Sequence, residues 1–162
     1  MLSFIMHALG LGFGATVVMD LVAWTNKRFF GVSGLDYALV GRWIGHLAKG
    51  RIGHAHIANS SPVAFETAIG WSVHYAIGAL FAAMFLWVVG MNWLQDPSLL
   101  PAVLFGGATV IAPFAILQPA IGAGLAASRT AKPNLMRAKS LFAHVSFGVG
   151  LWVVAFILAA VR

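Results

Sequence analysis

The stretch that decides the fold is PVAFETAIGWSVHYAIGALFAAMFLWVV, Pro62–Val89, where Glu66 is the single charged residue. A helix needs about 20 apolar residues to cross the hydrocarbon core of a bilayer, and this run exceeds that. Pro62, after Asn59-Ser60-Ser61, is pre-set for a first helical turn. Three more runs of this kind flank it: Leu2–Thr25, Leu99–Leu125 (opened by Pro101) and Ser140–Val161. The expected architecture is an all-α membrane protein, a four-transmembrane-helix bundle forming one domain over residues 1–162.

Composition agrees. Of 162 residues, 60% are hydrophobic and 9% are charged, and the mean hydropathy is +0.90. Soluble domains carry about 25% charged residues, so a water-facing fold of this size cannot hide so much apolar surface. The 18 glycines suit close helix packing in lipid. The absence of cysteine excludes disulfides, thiolate metal sites and cysteine nucleophiles. The first run lacks a basic segment before it and continues to Trp24, so it reads as a retained span rather than a removed signal peptide.

The loops orient the chain. Lys27, Arg28, Arg42, Lys49 and Arg51 fall in the first loop, and Arg129, Lys132, Arg137 and Lys139 in the third. The second loop, Gly90–Ser98, has no Lys or Arg. Nine basic residues thus stand on one side against Arg162 on the other. Basic loops stay in the cytoplasm, which places both termini outside, in the periplasm of a bacterial inner membrane. The formal charge of +6 then serves topology and contact with anionic membrane lipids, not nucleic acid. Trp87 and Trp93 are placed near the outer interface.

Within the first loop, Ser33-x-x-Asp36 can cap a short amphipathic helix from about Gly34 to Lys49, stopped by Gly50. Leu35, Leu39, Trp43 and Leu47 recur at helical spacing, with Arg42, His46 and Lys49 on the other face. This pattern suits an interfacial helix on the inner leaflet, or one packed over the mouth of the bundle. Arg129, in the polar turn after span three, is a candidate lipid-phosphate or anion contact and equally a topology anchor.

Ionisable groups inside spans are costly and point to function. At about 1.5 Å rise per residue, Asp20, Glu66, Gln118 and His144 fall at similar depth in the cytoplasmic half, one per span, with His74 deeper. Converging, they would form a ligand or proton site. Each also has a structural reading: Asp20 as a partner of Lys27, Glu66 as a first-turn carboxylate, Gln118 and the histidines as interhelical hydrogen bonds. Pro113 and Pro119 should bend span three around Gln118 and release backbone carbonyls there. His54-x-His56 could offer two imidazoles to one metal, completed by Glu66, His46 or His144. A bis-His haem requires matched depth, which His74 and His144 lack. No nucleophile elbow, phosphate loop or hydrolase constellation is present. The chain therefore leans away from an enzyme, and its cofactors are unknown. Gly-rich faces would permit a homo-oligomer.

The segments Gly14-Ala-Thr-Val-Val-Met-Asp20, Leu35-Asp-Tyr-Ala-Leu-Val-Gly-Arg-Trp43, Glu66-Thr-Ala-Ile-Gly-Trp-Ser-Val-His-Tyr75, Gln118-Pro-Ala-Ile-Gly-Ala-Gly124 and His144-Val-Ser-Phe-Gly148, in this order, resemble the bacterial inner-membrane family catalogued as domain of unknown function 2938. The resemblance covers nearly the whole chain. It implies a four-span inner-membrane protein and implies no activity or site residue.

Overall fold

Helices α1 (Leu2–Phe30), α3 (Glu66–Val89) and α6 (Pro133–Ala160), together with the broken helix Leu99–Ala120, are each long and apolar enough to span a bilayer. They come from a computed structural model that describes residues 1–160; Val161, the expected end of span four, and Arg162 lie outside the described residues. No strand occurs among the described residues. The fifth long element is the short loop helix, α2 (Tyr37–Leu47).

Local chemistry sets the ends. Helix α1 stops at Gly31, whose φ of 66° only glycine adopts readily, with Lys27 and Arg28 in the last turn. Asp36 is the cap of α2, its carboxylate accepting the Ala38 N–H at 2.9 Å, so the helix starts three residues later than a cap at Ser33 would give. Helix α3 begins at Glu66 and not at Pro62, because Phe65 takes a left-handed φ of 59° and breaks the run. Glu66 closes this turn by accepting the Val63 N–H at 3.1 Å. Helix α6 begins at Pro133, seven residues before the apolar run. Proline at the first helical position costs no hydrogen bond, and the polar turns that follow need no lipid.

The third span bends where its prolines fall. Helix α4 (Leu99–Ala108) gives way to a turn, then a π-helical turn at Pro113–Leu117, then α5 (Gln118–Ala120). Pro113 and Pro119 lack the N–H that a regular ladder uses, and π-turns absorb such breaks. Gly122 and Gly124, with φ of 97° and 77°, end the span before Leu125.

The described chain forms two compact units. The first comprises 1–33, 75–109 and 141 onward; the second comprises 34–74 and 110–140. In the first, Leu11, Ala15, Ala82, Phe85, Leu86, Ala102, Leu151 and Ala155 form the core. Helices meet there over small residues: a Cβ on Gly106 would lie 2.5 Å from the Gly148 Cα, and one on Gly12 would lie 2.5 Å from the Ala79 Cα. Thr16, 1% exposed, returns its hydroxyl to the Gly12 carbonyl at 2.8 Å. Trp87 is exposed as a belt residue would be, whereas Trp93 turns inward and sets its ring edge-on to Phe85.

Candidate functional site

The second unit concentrates polar chemistry. Helix α2 can approach the start of α3 because both carry glycine at the contact: a Cβ on Gly41 would collide with the Glu66 carbonyl, and one on Gly70 with the Tyr37 carbonyl. This approach brings Arg42 onto Glu66 as a fork, Nε to Oε2 at 2.9 Å and Nη2 to Oε1 at 2.8 Å. The remaining nitrogen, Nη1, donates to the Ala58 and Ser60 carbonyls at 3.1 and 3.2 Å. The carboxylate holds the guanidinium pKa above its ordinary value. Every nitrogen of the guanidinium thus donates within the unit.

One turn on, His46 is 8% exposed. Its Nε2 lies 3.0 Å from the Ser61 carbonyl and its Nδ1 lies 2.8 Å from Nε2 of His54. A carbonyl only accepts, so His46 Nε2 carries the proton. In the neutral ring Nδ1 is then an acceptor, and His54 Nε2 must be the donor. His54 Nδ1 is left with a bare lone pair, buried and without a hydrogen-bond partner. Burial, and next the charge of Arg51, push the His54 pKa below the ordinary value; the Ala120 carbonyl opposes this by favouring a ring proton. That carbonyl also accepts the His54 main-chain N–H at 2.8 Å, and Ile57 N–H reaches the Ile121 carbonyl at 3.1 Å. Loop 53–57 is thereby stitched to the turn that ends span three.

Gln118, 9% exposed, donates from Nε2 to Ser140 Oγ at 3.2 Å. Its Oε1 is buried without a partner. Tyr37 meets His74 through a 3.0 Å contact between OH and Nε2, and Trp71 packs against both rings, 4.4 Å from the tyrosine and 5.8 Å from the imidazole between ring centres.

The other two predicted groups belong to the first unit. The Tyr75 hydroxyl donates to Asp20 Oδ2 at 3.0 Å. Thr109 gives its hydroxyl proton to the Gly106 carbonyl at 2.6 Å, so the 2.7 Å contact with His144 Nδ1 has the imidazole as donor. The structure thus supplies the five predicted groups with different partners: Tyr75, Arg42, Tyr37, Ser140 and Thr109 for Asp20, Glu66, His74, Gln118 and His144.

Arg42 and His46 do not form a lipid-facing stripe with Lys49: Arg42 is engaged by Glu66 and loop carbonyls, His46 by Ser61 and His54, and Lys49 alone is exposed. Arg129 is also exposed. His54 is buried against His46, whereas His56 is exposed. Among the described residues no group of three His, Cys, Asp or Glu side chains could hold a metal. The His46–His54 pair was the feature missed. Its signal is Gly41 and Gly45, one turn apart on α2, which mark the packed side beside which Arg42 and His46 stand; a Cβ on Gly45 would lie 2.6 Å from Val63.

The profile of the family described as protein of unknown function (DUF2938) matches residues 9–158. The chain belongs to this family. The DUF2938 profile takes in every polar group named above and carries no activity with it. No curated protein and no solved structure matches the chain.

Proposed function

We propose that this DUF2938 protein is a multi-pass protein of the bacterial inner membrane, both termini periplasmic, that binds or moves a small molecule or ion through polar groups of the second unit. One observation carries the reading. Two buried acceptors in that unit, His54 Nδ1 and Gln118 Oε1, lack a protein donor. Native structures seldom leave such atoms unpaired, and each calls for a water, ion or ligand. The ligand class is therefore a small hydrogen-bond donor. Glu66 and His74 shape the unit around it through Arg42 and Tyr37. The third basic loop and most of the first lie in this unit, which supports a site that faces the cytoplasm, with Lys49 and Arg129 toward anionic lipid and a homo-oligomer as the working assembly.

The test is thermal. Purified protein in lipid nanodiscs is heated with a panel of small amines, amides and polyols. A ligand should raise the melting temperature of the parent and not of Gln118→Met, which keeps volume and removes the acceptor. A panel without effect, or equal stabilisation of both proteins, would defeat the reading. Reporter fusions in 90–98 should report the periplasm.

A second reading has its own support. Asp20, Glu66, His74 and His144 all have protein partners, as expected of groups that bind helices together in a structural or regulatory subunit. Asp20→Asn and Glu66→Gln separate the two: loss of stability alone favours the subunit.

A further inference from the structure

We propose that His46 and His54 act as one proton-binding site, taking a single proton between them. Three links run from the Ser61 carbonyl through both rings: Ser61 O to His46 Nε2, His46 Nδ1 to His54 Nε2, and outward from His54 Nδ1. Two neutral imidazoles bring two N–H hydrogens, which fill the first two links. The third position stays a lone pair. One added proton fills it and leaves every earlier hydrogen bond in place. The resulting charge is shared between two rings joined edge to edge, their centres 5.0 Å apart.

The structure places the proton at His54 Nδ1. His46 has no vacant nitrogen, since Nε2 donates to Ser61 and Nδ1 accepts from His54. The Ala120 carbonyl favours a proton on the His54 ring, although Nδ1 makes no hydrogen bond. A metal fits less well, because no third ligand is at hand among the described residues.

The charges around the pair decide when it loads. Arg51 stands on the same loop and opposes a second cation. From α2 and α3 come Arg42 and Glu66; the carboxylate is near enough to His46 to sense its charge, but it is spent on Arg42. The turn 118–123 brings backbone and Gln118, with no titratable side chain. Burial first, and then Arg51, hold His54 below its ordinary value, so the proton is taken up only on acidification.

Loading reverses what the site recognises. The neutral pair offers an acceptor at Nδ1, and the charged pair offers a donor. A ligand that donates a hydrogen bond would compete with the proton, which would make the proton the counter-ion of its binding. This consequence rests on the functional reading above; the proton site itself does not.

The experiment is nitrogen NMR of histidine-labelled protein in lipid nanodiscs, with His46→Gln and His54→Gln used for assignment. Near neutrality, the His46 and His54 rings should both be Nε2–H tautomers, with Nδ1 of His54 bare. On acidification His54 should take a proton at Nδ1 with a midpoint below its ordinary value of 6.5, and the His46 nitrogens should report the same transition through the shared hydrogen bond. Arg51→Gln, at an exposed position, should move that midpoint upward. His54 carrying its hydrogen on Nδ1 at neutral pH would overturn the proposal. So would two separate transitions, or acid unfolding before either ring titrates. A proton site found without any stabilising ligand would refute the functional reading and leave this one standing.

Discussion

The two units of this protein solve the same problem by opposite means. The first is built of regular helix. Its core is aliphatic and aromatic, its helices meet over glycine and alanine, and buried Thr16 satisfies itself on its own helix. The second holds the bends: the π-turn at Pro113–Leu117, left-handed Phe65, Ala126 and Ala127, and turns at Gly122 and Gly124. In hydrocarbon every irregular backbone group must find a partner inside the protein or in a cavity. The second unit supplies those partners from side chains. Arg42 serves the 58–60 carbonyls and Arg137 Nε donates to the Ala126 carbonyl at 2.7 Å. The difference teaches that the polar residues of a membrane protein need not all mark its site. Many are the cost of bending the chain; the second unit leaves two buried acceptors unpaired, His54 Nδ1 and Gln118 Oε1, and the first leaves one buried donor, Trp93 Nε1.

The comparison breaks first at the glycines. In the first unit Gly106→Val should be severely damaging, because its Cβ would meet backbone at Gly148 and the His144 carbonyl, 2.5 and 2.7 Å away. Overpacking against backbone costs about 3 kcal/mol or more, seen as loss of folded protein in denaturant titration. Gly10→Val is the control, since nothing lies within 4 Å of its Cβ. Equal stability of the two variants would show that close helix approach is not what holds the first unit.

Next comes the ion pair of the second unit. Glu66→Gln removes one side of the fork and leaves Arg42 charged among carbonyls with its main partner neutral. A guanidinium that loses its carboxylate in a partly buried site is a larger loss than the pair was a gain. The melting temperature should fall for Glu66→Gln, and fall less for Arg42→Met with Glu66→Leu than the two single changes would sum to. Additive losses would mean that the pair is solvated and that the second unit is not organised around it.

The four spans were legible because length and apolarity decide a span, and both are written in residue order. The bend of the third span was legible too, since Pro113 and Pro119 delete donors whatever surrounds them. The ends of α3 and α6 were not. Pro62 and the apolar run at Ser140 were followed as start signals, whereas the chain uses the left-handed turn at Phe65 closed by Glu66 and the proline at position 133. Polar pairing was the least legible. Depth along a helix is readable at 1.5 Å per residue, but the direction of a side chain around it is not. Hence Tyr75, Tyr37 and Thr109, unremarkable in sequence, became the partners of Asp20, His74 and His144. His46 looked like one of three cations until the glycines beside it were seen to be the packed side.

Acid should separate the units further. His54 is held below the ordinary histidine value of 6.5, first by burial. Unfolding restores that value, so between the two the unfolded chain binds a proton that the folded one does not. The stability this contributes is complete above 6.5 and is lost as pH falls through 6.5 to the depressed folded value. Unfolding at pH 8, 6 and 5 should show the parent losing stability across this window more steeply than His54→Gln. Identical slopes would place the histidine in an ordinary solvated setting.

The smallest effects belong to the polar pairs of the first unit, and they test the comparison most finely. Tyr75 donates to Asp20 across α1 and α3, and His144 donates to Thr109 across α6 and α4. Hydrogen bonds between helices in a membrane are worth about 0.6 kcal/mol each, because the separated helices find other partners. Tyr75→Phe and Thr109→Val should therefore each lower stability by about that much, and neither should alter the response to ligands in the thermal panel. Asp20→Asn keeps an acceptor for the tyrosine and should cost less still. The outcome that matters is functional. If Asp20→Asn or Tyr75→Phe abolishes ligand stabilisation at so small a cost in stability, then the first unit carries chemistry after all. The division between a unit that holds the fold and one that holds the site would then have to be redrawn around the carboxylate.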